Sequence, residues 1–193
     1  MPATRIEISK RLIKYLQLSG DQDGQALLPE ILAEAEDLIE PWSFKERVYT
    51  EDFFKLFHPW AGQSRIICSL LEGSKYVWLM AAGLGPALEE RSSEHFEKLE
   101  HFKGYILNRL GSWLAEEGMR KLDREVERQT VLSGFQATRR YSPGYKDFAL
   151  QAQEVFYSII RSKRPEIELH LSQAHILMPE KTVTALKGEF SPE

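Results

Sequence analysis

Arg140-Tyr141-Ser142-Pro143-Gly144-Tyr145 sets a permanent cation, a tight turn and an aromatic ring side by side, just ahead of a new helical pattern. Pro143 fixes its own φ and drives Ser142 toward extended geometry. Gly144 gives the backbone access to positive φ and to close approach of a ligand. Arg140 carries the planar fork that grips a carboxylate through two parallel hydrogen bonds. Tyr145 adds a flat apolar face with a hydroxyl. Such a turn suits a small zwitterion that bears a ring. An ordinary Pro-Gly surface turn reads the same way from the local string, so both readings stand at this point.

Downstream, Phe148, Ala152, Val155, Phe156, Ile159 and Ile160 keep helical spacing. Beyond them Ile167, Leu169 and Leu171, then His175-Ile176-Leu177-Met178, then Val183 and Ala185 alternate, which predicts two or three antiparallel strands. Upstream, a long helix is predicted over 102–128, with Tyr105, Ile106, Arg109, Leu110, Trp113 and Leu114 near one stripe. Gly111-Ser112 interrupts that stripe with small side chains that admit another backbone or a ligand. Glu116 follows Ser112 at i,i+4, so the two share a face. A carboxylate there either accepts a hydrogen bond from a ligand or stands in solvent as an ordinary helix residue. Residues 130–138 read as irregular or extended.

The first part of the chain predicts a helix over 9–18. A second comes after the break at Gly20–Gly24, with Leu28, Ile31, Leu32, Ala35, Leu38 and Ile39 inward, Pro29 in its first turn and Pro41 as its stop. Arg47-Val48-Tyr49-Thr50, Arg65 to Ser69 and Lys75 to Ala82 read as strands. Gly83-Leu84-Gly85-Pro86 then turns into a helix. That turn has the setting of a phosphate loop, but the third glycine of the dinucleotide fingerprint is Leu88 and no Gly-Lys-Ser/Thr follows. A plain strand-to-helix turn accounts for it better. Helices and strands come in blocks, not in βαβ alternation, which favours an α+β fold.

The 193 residues are 42% apolar and 28% charged with a net charge of -4, the profile of a soluble globular chain. That balance argues against a broad nucleic-acid surface, and the apolar runs fall short of a membrane span. Met1 to Glu7 has no apolar signal core, so a cytoplasmic protein is expected. The single cysteine, Cys68, lies in an apolar run and reads as buried filler. The five histidines show no metal-ligand spacing, and no nucleophile elbow or catalytic residue emerges.

Read together, these segments resemble the activation (reactivation) domain of cobalamin-dependent methionine synthase, in its short, free-standing form. Arg140 with Gly144-Tyr145 matches that domain's Arg-x-x-x-Gly-Tyr signature. Leu171 to Ala185 resembles its L-T-E-S-x-x-M-x-P-x-x-S-V-S-G segment without a gap. Ala82 to Arg91, Gly111-Ser112 with Glu116, and the stretch from Arg11 to Tyr49 are similar to the short members. The resemblance implies one unit over 1–193, helical to about residue 42 and mixed from 43 to 193, built on a twisted antiparallel sheet with flanking helices. It implies S-adenosylmethionine as ligand, with Arg140 on the carboxylate, Ser142, Pro143, Gly144 and Tyr145 on the nucleoside side, and Ser112 and Glu116 as further contacts. It also implies cobalamin presented by a partner, either a methionine synthase core or a related corrinoid methyltransferase, with a flavodoxin-like reductant. The cobalt is then the nucleophile, so no catalytic side chain is required and the chain is an accessory in methyl transfer. Gly134 stands where the full synthases carry an acidic residue, Thr182 and Thr184 replace serines, and the long C-terminal extension is not seen after Glu193. These departures motivate an alternative, a ligand-free scaffold or corrinoid-protein interaction module of the same fold. A small-molecule methyltransferase using Gly83-Leu84-Gly85 is the second alternative. Arg161, Lys163 and Arg164 either face an acidic electron donor or form a solvated helix end.

Overall fold

The computed structural model describes residues 6–192. Six strands occur among them: β1 (Trp42–Tyr49), β2 (Tyr76–Gly83), β3 (Gln136–Ala137), β4 (His170–Leu171), β5 (Leu177–Met178) and β6 (Thr182–Phe190). The main sheet is antiparallel with order β1-β2-β6-β3, and β4 and β5 pair separately. Trp42 pairs with Gly83 and Tyr76 with Glu189, so the last strand of the chain lies beside β2 at the sheet centre.

The helices are α1 (Lys10–Tyr15), α2 (Gln22–Leu38), α3 (Thr50–Leu56), α4 (Trp60–Gln63), α5 (Arg65–Leu70), α6 (Ala87–Glu97), α7 (His101–Leu132) and α8 (Gln153–Lys163). Strand alternation sends Val77, Leu79 and Ala81 to one face of β2 and Met80 and Ala82 to the other. The first face carries Phe53, Phe57, Ile67, Phe156 and Ile160 from the short helices and α8. Burying each such side chain stabilises the fold by about 1.5–3 kcal/mol. On the second face Met119, Leu122 and Val126 of α7 meet Met80, Ala82 and Ala185. A third cluster joins α1, α2 and α6 to the first half of α7 through Leu12, Leu28, Ile31, Leu88, Ile106 and Leu110.

The second face turns polar toward the end of β6. Glu189 is fully buried there and accepts from Arg47 Nε at 2.8 Å, Arg47 Nη2 at 2.7 Å and Trp78 Nε1 at 2.8 Å. Buried Lys187 reaches Asp123 at 2.8 Å and also Glu127. Buried charge is tolerated because each group is paired.

Several expectations change. Arg65 to Ser69 is not a strand but helix α5. Ser64 Oγ accepts from Ile67 N at 3.1 Å, and the Asp147 carboxylate accepts from Arg65 N at 2.9 Å. Burial at Ser64, Ile67 and Leu71 has helical, not alternating, period. Cys68 therefore falls on the outer side and is exposed. Pro29 lies inside α2, not in its first turn, because Asp21 caps the helix by accepting from Gly24 N at 2.9 Å. The long helix runs on to Leu132, leaving only Gln136–Ala137 extended in the segment read as irregular. The strand at Arg47 ends at Tyr49, and Thr50 starts α3. Met1 to Arg5 and Glu193 lie outside the described residues.

Candidate functional site

Beyond β3, Tyr141 docks on β6: Tyr141 N donates to Leu186 O at 2.9 Å and Leu186 N returns a bond to Tyr141 O at 2.7 Å. Neighbouring residues on extended chain point to opposite faces. Tyr141 packs against the apolar cluster of the first face. Arg140 points the other way, toward α7, where its guanidinium pairs with Glu116. The chain then turns at buried Pro143 and at Gly144, whose φ of 87° is a conformation glycine adopts without strain. Gly144 N donates to Phe148 O at 2.8 Å, closing the turn.

Asp147 ties the far side of this turn to α5. Its carboxylate accepts from Ser64 Oγ at 2.8 Å and from the first amides of that helix. The Ser64 hydroxyl is the main reason its carboxyl is held below the usual carboxylate value, with the two amides adding to it against desolvation.

The turn, α7 and the start of β6 enclose a cleft of about 700 Å³. Glu116, Arg140, Ser142, Pro143 and Tyr145 border it. Ser112 does not. Its hydroxyl donates back to Asn108 O at 3.3 Å, as helical serines commonly do. Gly144 shapes the turn without bordering the cleft. Tyr145 is 66% exposed, so its ring is free to be covered.

Residues outside the predicted set also border the cleft, among them Arg120, Arg139, Gln153 and Thr182. Arg120 and Arg139 bring the cleft to three guanidiniums; Glu116 and Glu117 pair with two of them, which leaves an excess of one positive charge. Glu116 also lies 3.6 Å from Arg120, which pairs with Glu117 as well. Gln153 is held by Thr184, whose hydroxyl donates to Oε1 at 2.8 Å. The Thr182 hydroxyl is buried and has no partner among the described residues. An orphaned hydroxyl at the cleft edge is what a bound polar ligand would satisfy. Thr182 was legible only as a member of the downstream motif; Arg120, Arg139 and Gln153 carried no signal until α7 and α8 were placed against β6.

Other candidates resolve differently. Gly83 is the last residue of β2, and a Cβ there would lie 2.6 Å from the Trp42 ring, so the glycine serves strand packing. Gly111 likewise admits Leu88 of α6 and Lys181, not a ligand. In the basic cluster Lys163 pairs with Glu46, Arg164 with Glu166, and Arg161 donates to the carbonyls of Pro165 and Ile167. Among the described residues no group of histidine, cysteine and acidic side chains is placed to hold a metal, and no helix is long and apolar enough to cross a membrane.

No family model matches this sequence, and no curated protein matches it in sequence. Thirteen chains of solved structures match it in fold. One is the crystal structure of the MetH reactivation domain bound to AdoHcy, with a TM-score of 0.63 at 10% identity, covering 97% of this chain and 71% of that one. The chain thus has the fold of that domain: an antiparallel sheet with flanking helices.

Proposed function

We propose that this chain is an S-adenosylmethionine-binding accessory protein that serves the reactivation and remethylation of a cobalamin-dependent methionine synthase or related corrinoid methyltransferase. The observation that carries the reading is the Arg140 turn, which borders an open cleft in the fold of a domain solved with AdoHcy. The residues present fit such a ligand: a guanidinium for the carboxylate, a carboxylate for the ammonium, an exposed ring for the base, and an unpartnered hydroxyl.

Arg140 takes the ligand carboxylate and Glu116 its ammonium, so one internal ion pair is exchanged for two with the zwitterion. Ser142, Pro143 and Tyr145 flank the nucleoside. S-adenosylmethionine supplies an electrophilic methyl group, and the acceptor is a reduced corrinoid on a cytoplasmic partner, kept reduced by a flavodoxin-like donor. The chain's own residues bind, orient and shield the ligand, which is a proximity contribution.

Calorimetric titration with S-adenosylmethionine and with AdoHcy tests this, each with and without a corrinoid partner. Saturable binding that weakens on Arg140→Ala is expected. Absence of binding under all four conditions would refute it and favour the ligand-free scaffold, the reading to which the internal Arg140–Glu116 pair lends support. The small-molecule methyltransferase reading loses its motif, since Gly83 lies under Trp42.

A further inference from the structure

We infer that the chain holds a second ligand site, for a small apolar carboxylic acid, in a cavity on the β1 side of α7. It is separate from the cleft, and the inference does not rest on the S-adenosylmethionine reading. The cavity arises from small residues where α7 crosses the sheet. Ala115 and Gly118 on the helix face Ala82 and Gly83 on β2, and a Cβ at Gly118 would have only Ala82 near it, at 3.7 Å. The space left is about 350 Å³, at the low end of the range for small-molecule sites, roughly 300–1,000 Å³.

Ile39, Leu84, Leu114 and Leu122 supply apolar walls. The sheet end beneath is held by the Trp42 ring lying against Gly83, so the site is largely pre-formed. Three charged residues border the cavity at one-turn intervals on α7: Glu117, Lys121 and Glu125. Both acids are already neutralised. Glu117 pairs with Arg120 and, at 3.5 Å, with Arg11; Glu125 pairs with Lys45. Lys121 has no carboxylate partner among the described residues, although it stands one turn from each acid. An apolar chamber that opens on one unpaired ammonium is complementary to an apolar body ending in a carboxylate. The small volume restricts that body to about one ring or a short branched chain.

The test uses 3-phenylpropionate and its amine counterpart 3-phenylpropylamine, titrated into the full chain while the amide signals of Gly83, Gly118 and Leu122 are followed by NMR. The acid is expected to shift these signals and to bind several-fold tighter than the amine. Lys121→Met, at an exposed position, should weaken the acid about three- to fivefold and erase its advantage over the amine. Gly118→Leu should fill the chamber and block both probes; if that variant does not fold, Lys121→Met decides alone. Unmoved signals at millimolar acid, equal binding of acid and amine, an unchanged preference in Lys121→Met, or shifts confined to Arg140 and Tyr145 would each overturn the proposal. AdoHcy binding is a separate readout, which Lys121→Met should leave intact.

Discussion

Truncating Arg140 to alanine gives the sharpest view of the cleft, because its magnitude is set by two opposing terms. A charge-assisted contact to a ligand carboxylate stabilises the complex by about 1.5–3 kcal/mol. Against this stands the Glu116 pair that the ligand must open. The Arg140 side chain is 25% exposed and that of Glu116 34%, so solvent screens their attraction. Pairs of this kind contribute about 0–1 kcal/mol. The net loss expected on Arg140→Ala is therefore about 1–2 kcal/mol, a weakening of roughly five- to thirtyfold in Kd. Calorimetry with AdoHcy reads it directly. A second ligand isolates the contact: 5′-methylthioadenosine keeps the nucleoside but lacks the amino-acid group, so its affinity should be the same in both proteins. This forms a cycle between side chain and ligand group. Glu116→Gln should weaken AdoHcy and spare 5′-methylthioadenosine in the same way. Three results would each refute this picture of the cleft: a change in AdoHcy binding under twofold on Arg140→Ala, an equal loss for both ligands, or tighter AdoHcy binding by Glu116→Gln.

Arg47→Leu leaves the buried Glu189 carboxylate with Trp78 as its remaining side-chain donor. The loss in urea unfolding should be about 2–3 kcal/mol, below the roughly 3–5 kcal/mol of a fully buried pair because the guanidinium is partly exposed; a loss under about 0.5 kcal/mol, the range of ordinary surface substitutions, contradicts the account. Gly118→Ala should raise stability by about 0.5–1 kcal/mol, since its Cβ meets Ala82 at ordinary contact distance and alanine favours the helix; a lower melting temperature would show that the approach is tighter than 3.7 Å. Asp147→Ala should destabilise at neutral pH. Because hydrogen bonds from Ser64 and the α5 amides depress the folded-state pKa, that contribution is present above the unfolded value of about 3.9 and is lost as pH falls through the depressed one. The gap between wild type and variant should thus narrow as pH falls below the unfolded value, and a constant gap would point to packing instead.

What could be read from the sequence was set by how far each signal reaches. The periodicity of α7 and the apolar run of β2 are carried by neighbouring residues, and both elements stand nearly where the pattern put them. Helix α5 is different: besides its own cap Ser64, its N-terminus is held by Asp147, 82 residues away from Arg65, and without that distant support a short β-branched run looked like a strand. Cys68 went the same way, because its exposure depends on the helical period. The same division holds in the cleft. Arg140, Pro143 and Tyr145 announce themselves within six residues, whereas Arg120 and Gln153 join only when α7 and α8 meet β6.

The two halves of that division meet at Tyr141. Its paired bonds with Leu186 fix the register of the segment on β6, and a slip of one residue exchanges the faces of every side chain in it. Arg140 would then enter the cluster of Phe148 and Phe156, and the tyrosine would face Glu116. Burying an unpaired guanidinium among phenylalanines costs far more than the slip could return, so the apolar cluster itself enforces the direction in which Arg140 points. The spacing between the arginine and the Gly144-Tyr145 turn is thus a folding constraint in its own right. That is why a six-residue string, weak as evidence for a ligand when taken alone, was informative about the whole architecture.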